Sequence, residues 1–350
     1  MLVYWLMFAY FAVGAMTEQP GVRKRGSDLL LRFGGIAIAA LIGFRFEVGA
    51  DWGPYEYIFA HSENSGFADM PSIADPGYFA VNLLVHWLGA DLWLVNLICG
   101  AIFAWGLIRF AELQERPWLA VTVAIPYLVI VVAMGYSRQA VAIGLVMAGL
   151  ASYLKTGSVL RFAAHVLIAA SFHKTGVVAL PLVAVANERG RVVNVLITVA
   201  VTYLLYTYFL SAQVSRFVTN YIDTRYAAEG AGIRVAMSVV PALLFFARSR
   251  QLGFAERERK VWRNLSIAAL GFLVLLFALP SSAVVDRFAL YVIPLQLVVL
   301  SRPRAFFASE GLGTAAVIAY AAAVQFTWLT YAHHARFWVP YHFWPFGGGG

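Results

Sequence analysis

Six places in the chain set charged or hydrogen-bonding side chains at the ends of apolar runs. They are Arg45 with Asp51, Ser137-Arg138-Gln139, His173-Lys174, Arg225-Tyr226, Asp286-Arg287 with Tyr291, and Arg336 ahead of Trp338-Val339-Pro340-Tyr341. A charge at the edge of a lipid bilayer is costly unless it is paired, solvated or bound to an anionic ligand. Arginines gathered around one point suit a pyrophosphate or a sugar carboxylate, because a guanidinium binds such groups through two parallel hydrogen bonds. The densest of these places is Gly43 to Tyr57, where Arg45, Glu47, Asp51 and Glu56 stand among glycines and aromatics directly after an apolar run.

Each place also has a plain structural reading. Asp286-Arg287 suits a local ion pair capping a helix, and Trp52, Tyr55 and Tyr57 suit an interfacial aromatic belt. His173 suits a turn, and Arg138 a side chain that snorkels to water. Arg216 and Arg234 have no motif around them and receive no role.

What positions these residues is a membrane. Hydrophobic residues make up 61% of the 350, and charged residues 13%. Soluble domains have about 45–50% apolar and about 25% charged residues. The fold class is therefore all-α, a polytopic integral membrane protein. The single cysteine, Cys99, excludes an intrachain disulfide, and no Cys/His cluster has zinc spacing. The net charge of +8 is a topology signal rather than a sign of nucleic-acid binding. The apolar first sixteen residues lack the basic start and small-residue cleavage site of a signal peptide. Residues 1–346 form one membrane domain, with the 347–350 glycine run read as a linker.

Spans need roughly 17–25 residues. Apolar segments fall at 1–16, 29–44, 92–108, 117–134, 138–154, 162–172, 175–187, 192–210, 235–247, 264–280, 287–300 and 311–330, which predicts about twelve transmembrane helices. If the first begins outside, cytoplasmic loops and helix ends hold eighteen of the twenty-six Lys and Arg residues, the largest group being 248–263. The positive-inside rule supports that orientation, with both termini outside. All six polar places then fall on the outer face. Two outer loops have substance, 45–91 and 211–234; the first is acidic, and its Asp75-Pro76 suits a helix start.

The pattern Arg45-Phe46-Glu47-Val48-Gly49-Ala50-Asp51-Trp52 with Tyr55 resembles the hallmark of the EpsG family, the Wzy-like bacterial polysaccharide polymerases. Further matches follow in order: Asp75-Pro76-Gly77-Tyr78, Ser137-Arg138-Gln139-Ala140, Phe172-His173-Lys174-Thr175, Arg225-Tyr226, Asp286-Arg287 with Tyr291, and Pro340-Tyr341. After its histidine the family commonly has Ser, where this chain has Lys174-Thr175.

The resemblance implies an architecture similar to C-type glycosyltransferases, a bacterial inner-membrane location with the site facing the periplasm, and polymerisation of repeat units carried on undecaprenyl pyrophosphate. It implies as partners that lipid-linked oligosaccharide, membrane lipid, and a chain-length regulator with export machinery. The residues fit this chemistry. A pyrophosphate leaving group calls for cations, and Arg45, Arg138, Lys174, Arg225, Tyr226, Asp286, Arg287 and Tyr291 are the candidate pyrophosphate or substrate ligands. The acceptor hydroxyl must lose a proton, for which His173, Asp51 or Glu47 are candidates. His173 ranks first because its ordinary pKa of about 6.5 lies near the working pH. No acidic pair of the DxD kind stands on the outer side, so neither a metal nor a cofactor is expected. A ligase using the same donor would share these arginines. A transporter would instead call for internal repeats or midplane charges.

Overall fold

Lipid offers the backbone no hydrogen-bond partner, so each apolar run must satisfy itself as a helix. The computed structural model describes residues 1–19, 25–63, 69–184, 230–279 and 281–347, with positions 65, 66, 186, 196, 199, 200 and 203. The chain begins with α1 (Leu2–Thr17) and α2 (Arg25–Gly43). The loop that follows α2 holds α3 (Trp52–Ser62), α4 (Met70–Ile73) and α5 (Pro76–Trp87). Then come α6 (Leu92–Ala111), α7 (Pro117–Ala124), α8 (Ser137–Thr156), α9 (Val159–Phe172) and α10 (Ala179–Ala184). After the segment outside the described residues follow α11 (Ala231–Arg248), α12 (Glu256–Ala278), α13 (Ser282–Ala289), α14 (Pro294–Leu300) and α15 (Glu310–Tyr331).

Six of these, α2, α6, α8, α11, α12 and α15, are long and apolar enough to cross a membrane. The stretch from Ser282 through α14, bent by 46°, makes a seventh if taken as one span. The count of twelve is therefore not reached by length among the described residues. The apolar segments at 1–16, 117–134, 162–172 and 175–187 do become helical, but as shorter or broken pieces. α9 stops at Phe172, and a 3-10 turn over Lys174–Val178 leads into α10, leaving His173 in the break. The predicted 192–210 span lies outside the described residues. The helix start expected at Asp75-Pro76 is found: α5 has 12 residues, with Asp75 at its N-cap position.

α7 runs on as a π-helix over Ile125–Ala133. Pro126 has no N–H to donate to the ordinary ladder, which loosens it at that point. α6 lies between α2 and α8, and it meets α8 at bare backbone. A Cβ on Gly106 would stand 2.0 Å from the Gly144 carbonyl oxygen, so no larger residue fits there. Close helix approach through small residues is the usual membrane solution.

Side-chain contacts sort the helix ends into two sets. At one end the chain terminus folds back. Strand β1 (Arg45–Phe46) pairs antiparallel with β2 (His342–Phe343), Tyr4 donates to the Trp338 carbonyl, and Trp338 donates to the Ile130 carbonyl. At the other end Arg116 donates to the Ala15 carbonyl and the Thr314 hydroxyl and stands 3.8 Å and 3.5 Å from Glu18 and Glu310.

Candidate active site

Arg45 leaves the end of α2 and turns inward. It is 0% exposed. Its guanidinium donates to the carbonyls of Ile42 and Val48, to Asn96 Oδ1 at 2.8 Å and to Ser137 Oγ at 2.7 Å. It therefore ties the end of α2 to the starts of α6 and α8, and the expected ligand-facing guanidinium is not what its placement gives. The following residues are fixed as firmly. Gly49 has φ +106°, a Cβ there would meet the Met134 carbonyl at 2.3 Å, and its N–H donates to the Phe337 carbonyl. Only glycine fits that backbone and that space. This anchoring delivers Asp51 to the start of α3, where its side chain does not cap the helix.

Around Asp51 the expected groups assemble. Arg138, in the first turn of α8, pairs with Asp75 at 3.0 Å and lies 6.0 Å from the centre of the Tyr55 ring. Gln139, the next residue, donates to the Arg287 carbonyl at 2.7 Å, which draws α13 against α8. His173 is buried in the break after α9, with Nδ1 2.6 Å from Thr175 Oγ1, and that hydroxyl is 3.2 Å from the Tyr291 hydroxyl. The charges of Arg138, Arg287 and Lys174 all act on His173, and those of Arg287 and Arg138 act on Asp51. Five separate stretches of sequence thus meet in one electrostatic neighbourhood: the Asp51 turn, Asp75, Arg138, His173-Lys174 and Arg287.

Burial and charge act differently on the two candidate bases. Burial raises the Asp51 carboxyl above its ordinary range, and Arg287 and Arg138 oppose this without cancelling it. Burial lowers the His173 imidazole well below its ordinary range, and the three nearby cations push the same way. The ordinary pKa on which His173 ranked first is therefore not the one it has in place. Asp75 is raised by burial against the pull of Arg138 and Lys174.

Asp286 faces elsewhere than expected. Its carboxylate is gripped by Arg234, Nε to Oδ1 at 2.6 Å and Nη2 to Oδ2 at 3.0 Å. The partner comes from the start of α11, not from its neighbour Arg287. Arg336 is exposed above the Phe337 ring, and Tyr341 fastens the terminal segment to the Leu41 carbonyl. Glu47 is exposed at φ +51°. Arg225 and Tyr226 lie outside the described residues. Sequence reasoning gave Asp75 a helix start and a place in a family motif but no partner, gave Arg234 no role, and named Thr175 only as a departure from the family pattern. For Asp75 the signal existed, since it is an acid in a loop whose outer-face partner could be a base. Among the described residues no group of three His, Cys, Asp or Glu is placed to hold a metal ion.

Comparison with curated proteins and with solved structures gives no match. The family model for the EpsG family matches residues 28–343, a stretch that takes in every residue of this cluster. With nearly the whole chain matched, the protein belongs to the EpsG family, a Wzy-like polysaccharide polymerase family.

Proposed function

We propose that the protein is a glycosyltransferase that joins oligosaccharide repeat units carried on undecaprenyl pyrophosphate, at the periplasmic face of the bacterial inner membrane. The observation that carries this reading is the meeting of Arg138, Lys174 and Arg287 with Asp51 and His173 at one end of the bundle. The cations bind the pyrophosphate and stabilise its charge as it leaves. The acceptor hydroxyl oxygen forms the new bond to the anomeric carbon. The bond from that carbon to the pyrophosphate oxygen breaks, and the electron pair leaves with the lipid carrier. The hydroxyl proton passes to Asp51, whose raised pKa makes it a stronger base than an ordinary carboxylate. His173, neutral in this cationic setting, accepts a hydrogen bond from a second hydroxyl of the acceptor sugar. Arg45 positions the loop from behind, and Arg225 and Tyr226 contribute to substrate binding by family resemblance.

The lipid carrier has a path. An apolar groove of about 380 Å³ between α6, α8 and α9 is lined by Ala101, Ile102, Trp105, Leu145, Ile168 and Phe172. Phe172, on its wall, directly precedes His173 in the chain. Ile168 and Trp105 are exposed on its rim, as a groove open to lipid requires. A groove of about 800 Å³ at the opposite end is bordered by Glu18, Asp28 and Glu115 and is unsuited to a pyrophosphate. The periplasmic assignment rests on the loop charges.

Purified protein in lipid nanodiscs with lipid-linked oligosaccharide should yield a ladder of products, each one repeat unit longer. A single addition to a different acceptor would make it a ligase. Donor left unconsumed by correctly folded protein would overturn the reading.

A further inference from the structure

The His173 ring is held by two hydroxyls that the proposed chemistry does not use. Nδ1 is 2.6 Å from Thr175 Oγ1, which is 3.2 Å from the Tyr291 hydroxyl. All three side chains are buried. The backbone around the ring is pinned too: the His173 N–H donates to the Ala169 carbonyl, and the Gly176 N–H donates to the His173 carbonyl. With Nδ1 committed to Thr175, Nε2 is the ring nitrogen left to meet a substrate. Whether Nε2 is a donor or an acceptor then depends on which way the hydroxyl chain runs.

We infer that Thr175 and Tyr291 fix the tautomer of His173, with the proton on Nδ1 and an open lone pair on Nε2. Thr175 accepts from Nδ1–H and donates to the Tyr291 oxygen. The hydrogen bonds set this direction: the Thr175 hydroxyl donates to the Tyr291 oxygen at 3.2 Å, which spends its one proton and leaves its oxygen to accept from Nδ1–H. Thr175 and Tyr291 are positioning residues: they make His173 an acceptor for a hydroxyl of the incoming sugar beside the attacking one, and bar it from donating to the leaving group. The tautomer stands on geometry alone; its consequence for turnover rests on the proposed function.

The test is ¹⁵N NMR of the full-length protein in nanodiscs with its seven histidines ring-labelled, His173 being assigned by its loss in His173→Gln. The expected wild-type spectrum shows a neutral His173 with Nδ1 protonated and Nε2 bare across neutral pH. Thr175→Val should move the proton to Nε2, and Thr175→Ser should keep it on Nδ1. In the polymerisation assay Thr175→Val should lower kcat roughly 10²-fold, the cost of a misplaced reacting group, with donor KM unchanged, and Thr175→Ser should restore it. A wild-type ring protonated on Nε2, or charged at neutral pH, overturns the inference. If the spectra agree while Thr175→Val and His173→Gln both polymerise normally, the tautomer stands and the role given to His173 in the reaction falls.

Discussion

Arg45 and Arg138 stand at the ends of two helices that pack on opposite sides of α6, and both border the turn that presents Asp51. They are used in opposite ways. Arg45 is sealed, and its donors go to two carbonyls, an amide oxygen and a hydroxyl, with no carboxylate among them. Arg138 keeps 29% of its side chain exposed, meets one carboxylate, and has a buried Nε that finds no acceptor among the described residues. A buried donor without an acceptor costs about 1–3 kcal/mol, which a fold keeps where a ligand supplies the acceptor. A ligand at Arg45 would have to displace Asn96 and Ser137 first. The difference separates a scaffold cation from a binding cation better than family motif or residue type does.

The largest effect expected from this division falls on Asp51. Asp51→Asn should lower polymerisation by about 10²–10⁴-fold, the range for loss of a general base. It should not lower the melting temperature. The folded pKa of Asp51 is raised above its unfolded value, so its ionised form at neutral pH opposes folding, and that cost is relieved only as pH falls through the folded pKa. Removing the charge leaves stability unchanged or higher. The same shifts set the pH profile of the wild type: turnover should be flat through neutral pH and fall on the acid side, without a limb near the ordinary histidine value of about 6.5. A limb there would mean that His173 titrates as if exposed, and would return it to first rank as the base.

Arg45→Ala should show the reverse pattern. It leaves Asn96, Ser137 and two carbonyls unpartnered in a sealed site, where an unsatisfied buried polar group costs about 1–3 kcal/mol. Cys99, buried on the same helix as Asn96, gives a readout: its labelling by a thiol reagent should accelerate in the variant. A stable Arg45→Ala protein that fails only to bind the lipid carrier would restore the ligand role read from the sequence.

The apolar segments and most residues of the cluster were legible in the sequence, because a polar residue at a helix end has few places to go. The sequence did not show which way Arg45 turns, since adjacency to a helix end is compatible with facing either inward or outward. It could not pair Asp286 with Arg234, 52 residues apart, when Arg287 stood next to it. The ranking of His173 rested on an ordinary pKa, which carries no information about burial or about Arg138 and Arg287 brought in by other elements. The twelve apolar segments outnumber the spans that helix length supports among the described residues, because stretches such as 117–134 and 162–172 form helices of fewer than 18 residues.

On the binding side, Arg138→Lys and Arg287→Lys should each fold normally and lose about tenfold to a hundredfold in kcat/KM, since lysine keeps the charge and loses the planar fork. Arg138 should show the larger loss, because its single bond to Asp75 leaves donors for the substrate. Dye-monitored melting distinguishes this from misfolding. Lysine variants with full activity would mean that a point charge suffices, and the contrast between the two arginines would then rest on burial alone.

The smallest expected effect tests whether Asp286 belongs with Arg45 or with Arg138. Its carboxylate spends both oxygens on Arg234 in a bidentate pair whose side chains are only 12% and 13% exposed. Beside it Val235, Val239, Val285 and Ala289 form a small apolar cluster. Such a pair holds α11 to α13 and so sets the approach of Arg287 only indirectly. Asp286→Asn should cost a few degrees of melting temperature and less than about threefold in turnover. Asp286→Asn combined with Arg234→Gln should be no worse than the poorer single variant, with a coupling of about 0.5–3 kcal/mol for residues in contact. If instead Asp286→Asn melts like the wild type and loses turnover as Asp51→Asn does, the carboxylate leaves Arg234 during the reaction, and Asp286 is a substrate ligand as its motif implied.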